Sequence, residues 1–163
     1  MNIETQREQF RPDKISILLV GESPPASGKF FYDKSNMTTF TSRAFERAFN
    51  IQFDSTTEFL AYFKSKGCFL DDLSHDPVDN LDSKQRELVL EQSVESLARR
   101  LSGAHPEVVV VVLKKISALV REAVARAALR VFFYELPFPG SGHQNKYMDE
   151  LERILRTHLG NVT

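Results

Sequence analysis

Short apolar runs recur along the chain, separated by stretches in which apolar residues have helical spacing. Residues 15–20 form a nearly continuous apolar run rich in β-branched residues and closed by Gly21, which predicts a strand buried on both faces. Residues 108–113 predict a central parallel strand, and the shorter apolar runs over residues 68–70 and 131–134 predict two more strands. The four runs predict the strands of one sheet.

The stretches between these runs predict helices. The first follows Thr41-Ser42, and the second begins at a capping box over residues 55–58 and ends before Gly67. A long helix is predicted from Asp82 to Gly103, and two more carry apolar residues at helical spacing over 119–129 and 147–155. Strands that alternate with helices predict a parallel sheet with right-handed crossovers. We therefore expect a single domain over residues 1–163, a three-layer α/β/α fold with a central parallel sheet of about four strands.

Polar or proline-rich loops follow three of the strands, over residues 21–40, 71–80 and 136–145. Because the carboxyl ends of parallel strands lie at one edge of a sheet, these loops are expected to converge on one functional site.

Composition narrows the classes of function. The 163 residues include 21 Lys and Arg against 22 Asp and Glu, a net charge of -1, so any contact with nucleic acid must be local. The single cysteine, Cys68, excludes an internal disulfide, a Cys-rich zinc site and a four-thiolate iron–sulfur cluster. No signal peptide or run of membrane-spanning length is evident. We expect a cytoplasmic monomer that needs no metal or other cofactor and does not contact membranes.

The first loop, residues 21–29, superficially resembles a phosphate-binding P-loop. Six residues instead of four separate Gly21 from Gly28, and Pro24 and Pro25 remove two backbone donors, so we do not expect nucleotide triphosphate hydrolysis. Glu22 lies in this loop on a rigid proline turn at the end of a strand. A carboxylate held there is suited to position water or to stabilise a positively charged transition state. The structural alternative is a helix-capping or salt-bridged glutamate.

The other loops also carry candidate chemistry, each with a structural alternative. Phe31 and Phe40 offer rings for stacking on a base or for packing in the core. Asp71 and Asp72 either contact a ligand or cap a loop. The loop over residues 136–145 contains hydrogen-bond donors suited to a phosphate backbone. Its structural alternative is an ordinary turn between a strand and a helix. Those donors are Ser141, His143, Gln144 and Asn145.

Taken together, the three loops resemble the uracil-DNA glycosylase superfamily, particularly its branch with a Gly-Glu-Ala-Pro-Gly first motif, here residues 21–25. Residues 40–44 are similar to the family segment whose phenylalanine stacks on the extruded base. Residues 70–73 are similar to the strand end that carries a base-recognising asparagine. Residues 136–143 are similar to the second active-site loop, which starts His-Pro-Ser in the family.

The resemblance implies a uracil-DNA glycosylase-like fold and a protein that flips a damaged or deaminated base out of DNA and hydrolyses its bond to the sugar. It implies that Glu22 positions water, and His143 is the candidate substitute for the family's histidine donor. The base would contact Phe40, Phe31, Asp71, Gly21 and Ser23, and the DNA would contact Pro137, Pro139, Gly140, Ser141, Gln144 and Asn145. Glu22, Phe40 and Asp71 are accordingly expected to line one cleft.

Two positions depart from the family pattern. Leu136 replaces the histidine at the head of the second loop, and Asp71 replaces the asparagine. An ionised Asp71 only accepts hydrogen bonds, so it suits a base that presents N–H groups unless burial raises its pKa and keeps it protonated. Two further hypotheses follow: a nucleic-acid or nucleotide-binding protein that has lost hydrolysis, and a small-molecule enzyme on the same scaffold.

Overall fold

A computed structural model describes residues 2–160 of the chain. Within this range the apolar runs form strands and the stretches between them form helices, as the pattern predicts. The strands are β1 (Ile17–Gly21), β2 (Cys68–Asp72), β3 (Val108–Val111) and β4 (Phe132–Glu135). The helices are α1 (Ile3–Gln9), α2 (Asn36–Phe49), α3 (Thr56–Ser65), α4 (Ser83–Gln92), α5 (Val94–Ala104), α6 (Ser117–Arg126) and α7 (Gln144–Leu159), with 3₁₀ turns over Phe31–Asp33 and Lys114–Ile116.

The four strands form one parallel sheet in the order β2-β1-β3-β4. Strand β1 lies between β2 and β3 and is buried along its whole length, as its continuous apolar run predicts. Helix α2 packs against α3 and α7, and α5 packs against α4 and α6, which gives the two helical layers. The predicted three-layer α/β/α architecture with a four-stranded parallel sheet is confirmed.

The register of the sheet aligns the ends of its strands. Gly21 pairs with Asp72, and Val20 pairs with both Asp71 and Val111. The loops that follow β1, β2 and β3 therefore leave the sheet at one edge.

Helix α2 begins at Asn36, before the Thr41-Ser42 pair that the sequence predicts to precede it. Its N-cap is Ser35, whose side chain accepts a hydrogen bond from the backbone of Thr38 while the Thr38 hydroxyl accepts one from the backbone of Ser35. This reciprocal cap stabilises a start at Asn36 instead of Thr41-Ser42. As a result, Phe40 lies inside the helix and not in the preceding loop.

The long helix predicted from Asp82 to Gly103 is divided in two. Asp82 is the N-cap of α4, as predicted, but that helix ends at Gln92, and α5 starts at Val94. Where the two helices join, the carbonyl of Val89 accepts from the hydroxyl of Ser93 at 2.7 Å and from the backbone N–H of the same residue at 3.0 Å.

The amino-terminal segment, for which the sequence predicts no element, forms α1. Asn2 caps this helix through its side chain. Arg7 enters the interior and is only 1% exposed, because Asp71 and Asp72 at the end of β2 provide opposite charges there. The short helix is thus tied to the sheet by ionic contacts that span more than sixty residues of sequence.

Within residues 2–160, no helix combines the length and the apolar composition that crossing a membrane requires.

Candidate functional site

A cleft of about 820 Å³ opens at the carboxyl ends of β1, β2 and β3. The loop after β1 forms one wall, the end of β2 and Asp79 form another, and the loop after β4 contributes residues 138–140. Ligand sites of parallel α/β sheets lie at this edge. All three predicted loops contribute to the cleft, which is therefore the candidate functional site.

Glu22 lies in the cleft directly after β1, and its side chain is 11% exposed. The guanidinium group of Arg86, in α4, donates to both of its carboxylate oxygens, and the Nζ atom of Lys115 lies 3.0 Å from Oε2. The salt-bridged alternative is confirmed, and the catalytic role of Glu22 stays a prediction. Glu22 is an ion-paired carboxylate facing the cleft.

Only one of the two aspartates at the end of β2 faces the cleft, because successive side chains of a strand point to opposite faces. Asp72 lines the cleft and Asp71 does not. Asp71 instead forms an ion pair with Arg100 of α5 and lies 2.7 Å from His75 Nε2. The expectation that Asp71 lies beside a bound base is not met, since its carboxylate belongs to a buried ionic network behind the sheet edge.

The protonation state of Asp71 follows from this network. Burial acts to raise the pKa of Asp71, but the hydrogen bond with His75 and the positive charges of Arg100 and Arg7 outweigh it and lower the pKa to about 2. The alternative of a protonated Asp71 in a dry pocket is therefore wrong, because its cationic neighbours favour the ionised form.

The pKa of Asp72, the next residue, is shifted in the opposite direction. Burial raises its pKa to about 7, with the charge of Arg7 opposing and that of Asp71 reinforcing the rise. Arg7 Nη2 donates to Asp72 Oδ2 at 3.3 Å, and no donor of residues 2–160 bonds Oδ1. At neutral pH a fraction of Asp72 is protonated, and a protonated carboxyl group donates and accepts hydrogen bonds as an amide does.

Gly21 allows the Asp72 carboxyl group to lie against β1. A Cβ atom on Gly21 would lie 2.6 Å from Asp72 Oδ1, closer than two such atoms approach without displacement. Ser23, the other small residue predicted at the site, also lines the cleft. Its hydroxyl accepts a bond from the backbone N–H of Val78 at 3.3 Å and so joins the loop after β1 to the loop after β2.

The aromatic rings that line the cleft are not the ones that the sequence predicts. Phe40 does not line the cleft: it is half-buried in α2, with the guanidinium carbon of Arg43 5.5 Å from its ring centre. Phe31 lines the cleft but is 4% exposed and packs edge-on against Tyr32. Phe138 lines the cleft and is 47% exposed, so it offers an accessible stacking face. The sequence analysis did not select Phe138.

The loop between β4 and α7 contributes fewer side chains than predicted. Pro139 and Gly140 line the cleft, whereas Pro137 is buried outside it. His143 is exposed at the start of α7, forms no capping bond and does not line the cleft. The three other predicted donors likewise lie outside the cleft: Ser141, Gln144 and Asn145.

Cationic side chains surround the cleft in a protein whose net charge is -1. Besides Arg86 and Lys115, it is lined by Lys29 and Lys34. Within residues 2–160, no carboxylate lies within ion-pair distance of either of these two lysines. The same residues contain no group of three or more His, Cys, Asp or Glu side chains suited to a metal ion. These four cations outnumber the three acidic residues of the lining, which are Glu22, Asp72 and Asp79, so the cleft suits an anionic ligand.

Site residues that the sequence did not indicate are Phe138, Arg86 and Lys115, and Asp72 was indicated only together with Asp71. Strand alternation separates Asp72 from Asp71, but the sequence does not show which of the two faces the cleft. Arg86 lies on the polar side of a helix and meets Glu22 across 64 positions of sequence. Lys115 lies in the 3₁₀ turn Lys114–Ile116 after β3, where no motif marks it. No local signal distinguishes Arg86 from the other exposed arginines.

No protein-family model matches the chain, and no curated protein matches it significantly. The function is accordingly inferred from the residues and geometry of the cleft.

Proposed function

We propose that the protein is a glycosylase-like hydrolase that takes a damaged or deaminated base of DNA into the cleft and hydrolyses its N-glycosidic bond. The observation that supports this proposal is the meeting of Glu22 and Asp72, from the ends of two adjacent strands, in a cleft that also exposes the ring of Phe138. A volume of about 820 Å³ accommodates a nucleobase with its sugar.

Glu22 is the proposed catalytic carboxylate. Cleavage of the bond leaves a cationic, oxocarbenium-like sugar and an anionic base, so a carboxylate near the sugar stabilises the developing positive charge. The same carboxylate orients the attacking water as an acceptor of its hydrogen bond. Before a substrate binds, Arg86 contacts both oxygens of Glu22 and holds the carboxylate facing the cleft.

Asp72 is the proposed base-recognising residue, in the role that the resemblance implied for Asp71. Its carboxyl group faces the cleft, and Arg7 holds one of its oxygens. In its protonated form the group pairs with an N–H and a carbonyl of one base edge, and in its ionised form it accepts from N–H groups only. Phe138 supplies the stacking face in place of Phe40.

A single-turnover assay tests the proposal with oligonucleotides that carry uracil, hypoxanthine or a mismatch. We expect the wild type to release one of these bases and Glu22→Gln to lower the rate by about 100-fold or more, because the neutral amide neither orients water as well nor stabilises the cation. Glu91→Gln, an equal charge change on the exposed face of α4, is the matched control. Equal rates for the wild type and Glu22→Gln, or no release from any substrate, would refute the proposal.

A second candidate is a nucleic-acid or nucleotide-binding protein that does not hydrolyse its ligand. Two observations favour it: Glu22 is held by two cations, and Leu136 is buried where the family places a histidine donor. In this case oligonucleotides bind with a steep dependence on salt, and no base is released.

A further inference from the structure

We propose that Arg86 and Lys115 form a binding site for a phosphate group of the ligand, and that this phosphate competes with Glu22 for the two cations. This site would make the substrate of the proposed function a phosphorylated one. The inference rests on the proposed function only in assuming that the ligand also carries a base.

The contacts of Glu22 have the geometry of an oxyanion site. Nη2 of Arg86 donates to one oxygen of Glu22, and Nε donates to the other at 3.3 Å, while Lys115 Nζ lies 3.0 Å from the second oxygen. The planar fork of an arginine binds carboxylate and phosphate in the same two-bond manner. Two cations around one carboxylate leave a local charge of about +1, which a phosphate satisfies better than a carboxylate does.

The two cations are accessible from the cleft. The side chain of Arg86 is 31% exposed and that of Lys115 is 54% exposed, and both line the cavity. Lys29 and Lys34 line it as well and have no carboxylate within ion-pair distance among residues 2–160. The same cavity is lined by the acidic residues Glu22, Asp72 and Asp79, so the four cations leave a formal charge of about +1 for an entering phosphate.

The competition has a consequence for the substrate. A phosphate that binds Arg86 and Lys115 withdraws both cations from Glu22 and frees the carboxylate to face the sugar. A nucleoside without phosphate leaves Glu22 paired, so it binds more weakly and is cleaved more slowly than a nucleotide or a DNA strand.

Titration with inorganic phosphate at low ionic strength, followed by calorimetry, tests the site without any hydrolysis. We expect Glu22→Gln to bind phosphate about fivefold more tightly than the wild type, since removal of an ion pair worth about 1 kcal/mol releases the competing cations. Arg86→Met is expected to bind about tenfold more weakly. Lys115→Met, at a half-exposed position that tolerates substitution, is expected to weaken binding about fivefold and serves if Arg86→Met does not fold.

Glu91→Gln and Arg99→Met change the same charges at exposed positions outside the cleft and are expected to bind phosphate as the wild type does. The proposal is overturned if Glu22→Gln binds phosphate no more tightly than the wild type, or if Lys115→Met binds it equally well.

Deoxyuridine, deoxyuridine monophosphate and a short single-stranded oligonucleotide distinguish the source of the phosphate. Tighter binding of the mononucleotide than of the oligonucleotide indicates a phosphate monoester, and the reverse order indicates the DNA backbone. Equal binding of deoxyuridine and both phosphorylated probes overturns the inference. If phosphate binding responds to Glu22→Gln as expected but no base is ever released, the site stands and the hydrolytic function falls.

Discussion

Replacing Asp72 with asparagine is expected to change how the stability of the protein depends on pH. The pKa of Asp72 is about 7 in the folded protein, against an ordinary value of 3.8. Between these two values the unfolded chain has released the proton that the folded protein retains. The free energy of unfolding of the wild type therefore falls as the pH rises through this window, and Asp72→Asn, which has no proton to release, escapes that fall.

The size of the effect follows from the width of the window. Each pH unit corresponds to about 1.4 kcal/mol for one proton, so the contribution of Asp72 changes by about 4 kcal/mol between pH 3.8 and pH 7. Asp71 has the opposite sign: its pKa is lowered to about 2, so its contribution of about 2 kcal/mol is present above pH 3.8 and is lost as the pH falls towards 2.

Urea unfolding of the wild type, Asp72→Asn and Asp71→Asn, followed by circular dichroism from pH 3 to 8.5, measures both effects. We expect Asp72→Asn to gain stability relative to the wild type as the pH rises, and Asp71→Asn to be less stable at neutral pH with a deficit that narrows below pH 4. A difference between the wild type and Asp72→Asn that is the same at pH 4.5 and pH 8 would refute the protonation of Asp72 in the cleft.

Three further outcomes follow from the contacts of the site. Gly21→Ala is expected to lose about 1–3 kcal/mol of stability, because the new Cβ meets Asp72 Oδ1. The same substitution is expected to cost less stability in an Asp72→Ala background, and a double-mutant cycle measures the difference. Arg100→Met is expected to lose about 3 kcal/mol in urea unfolding because it removes a cation from buried Asp71, whereas Arg99→Met, at an exposed position, stays within about 0.5 kcal/mol of the wild type. Phe138→Ala is expected to fold normally and to weaken oligonucleotide binding by about 1–3 kcal/mol in a fluorescence titration, since its half-exposed ring lines the cleft; unchanged affinity would contradict its stacking role.

Hydrophobic periodicity was sufficient to predict the layers of the fold. Val108–Val111 and Ile17–Gly21 are apolar on both faces, and only a strand covered by helices on both sides buries all of these residues. The helix boundaries were less well predicted where a serine side chain bonds to the backbone, as at Ser35 and Ser93. Capping by such residues depends on which local bond is stronger in the folded chain, and the apolar pattern carries no information about it.

The location of the candidate site was also predictable, because parallel strands release their loops at one edge of the sheet. The sequence by itself thus determined the sheet, its covering helices and the place of Glu22 at the end of β1. Which side chains enter the cleft was decided by tertiary structure. Asp71 and Asp72 are chemically identical neighbours, yet Arg7 and Arg100 from distant helices hold Asp71 ionised behind the sheet while burial beside Gly21 favours the protonated form of Asp72. Burial and opposite charges set protonation and orientation, and both arise only when segments far apart in sequence are brought together.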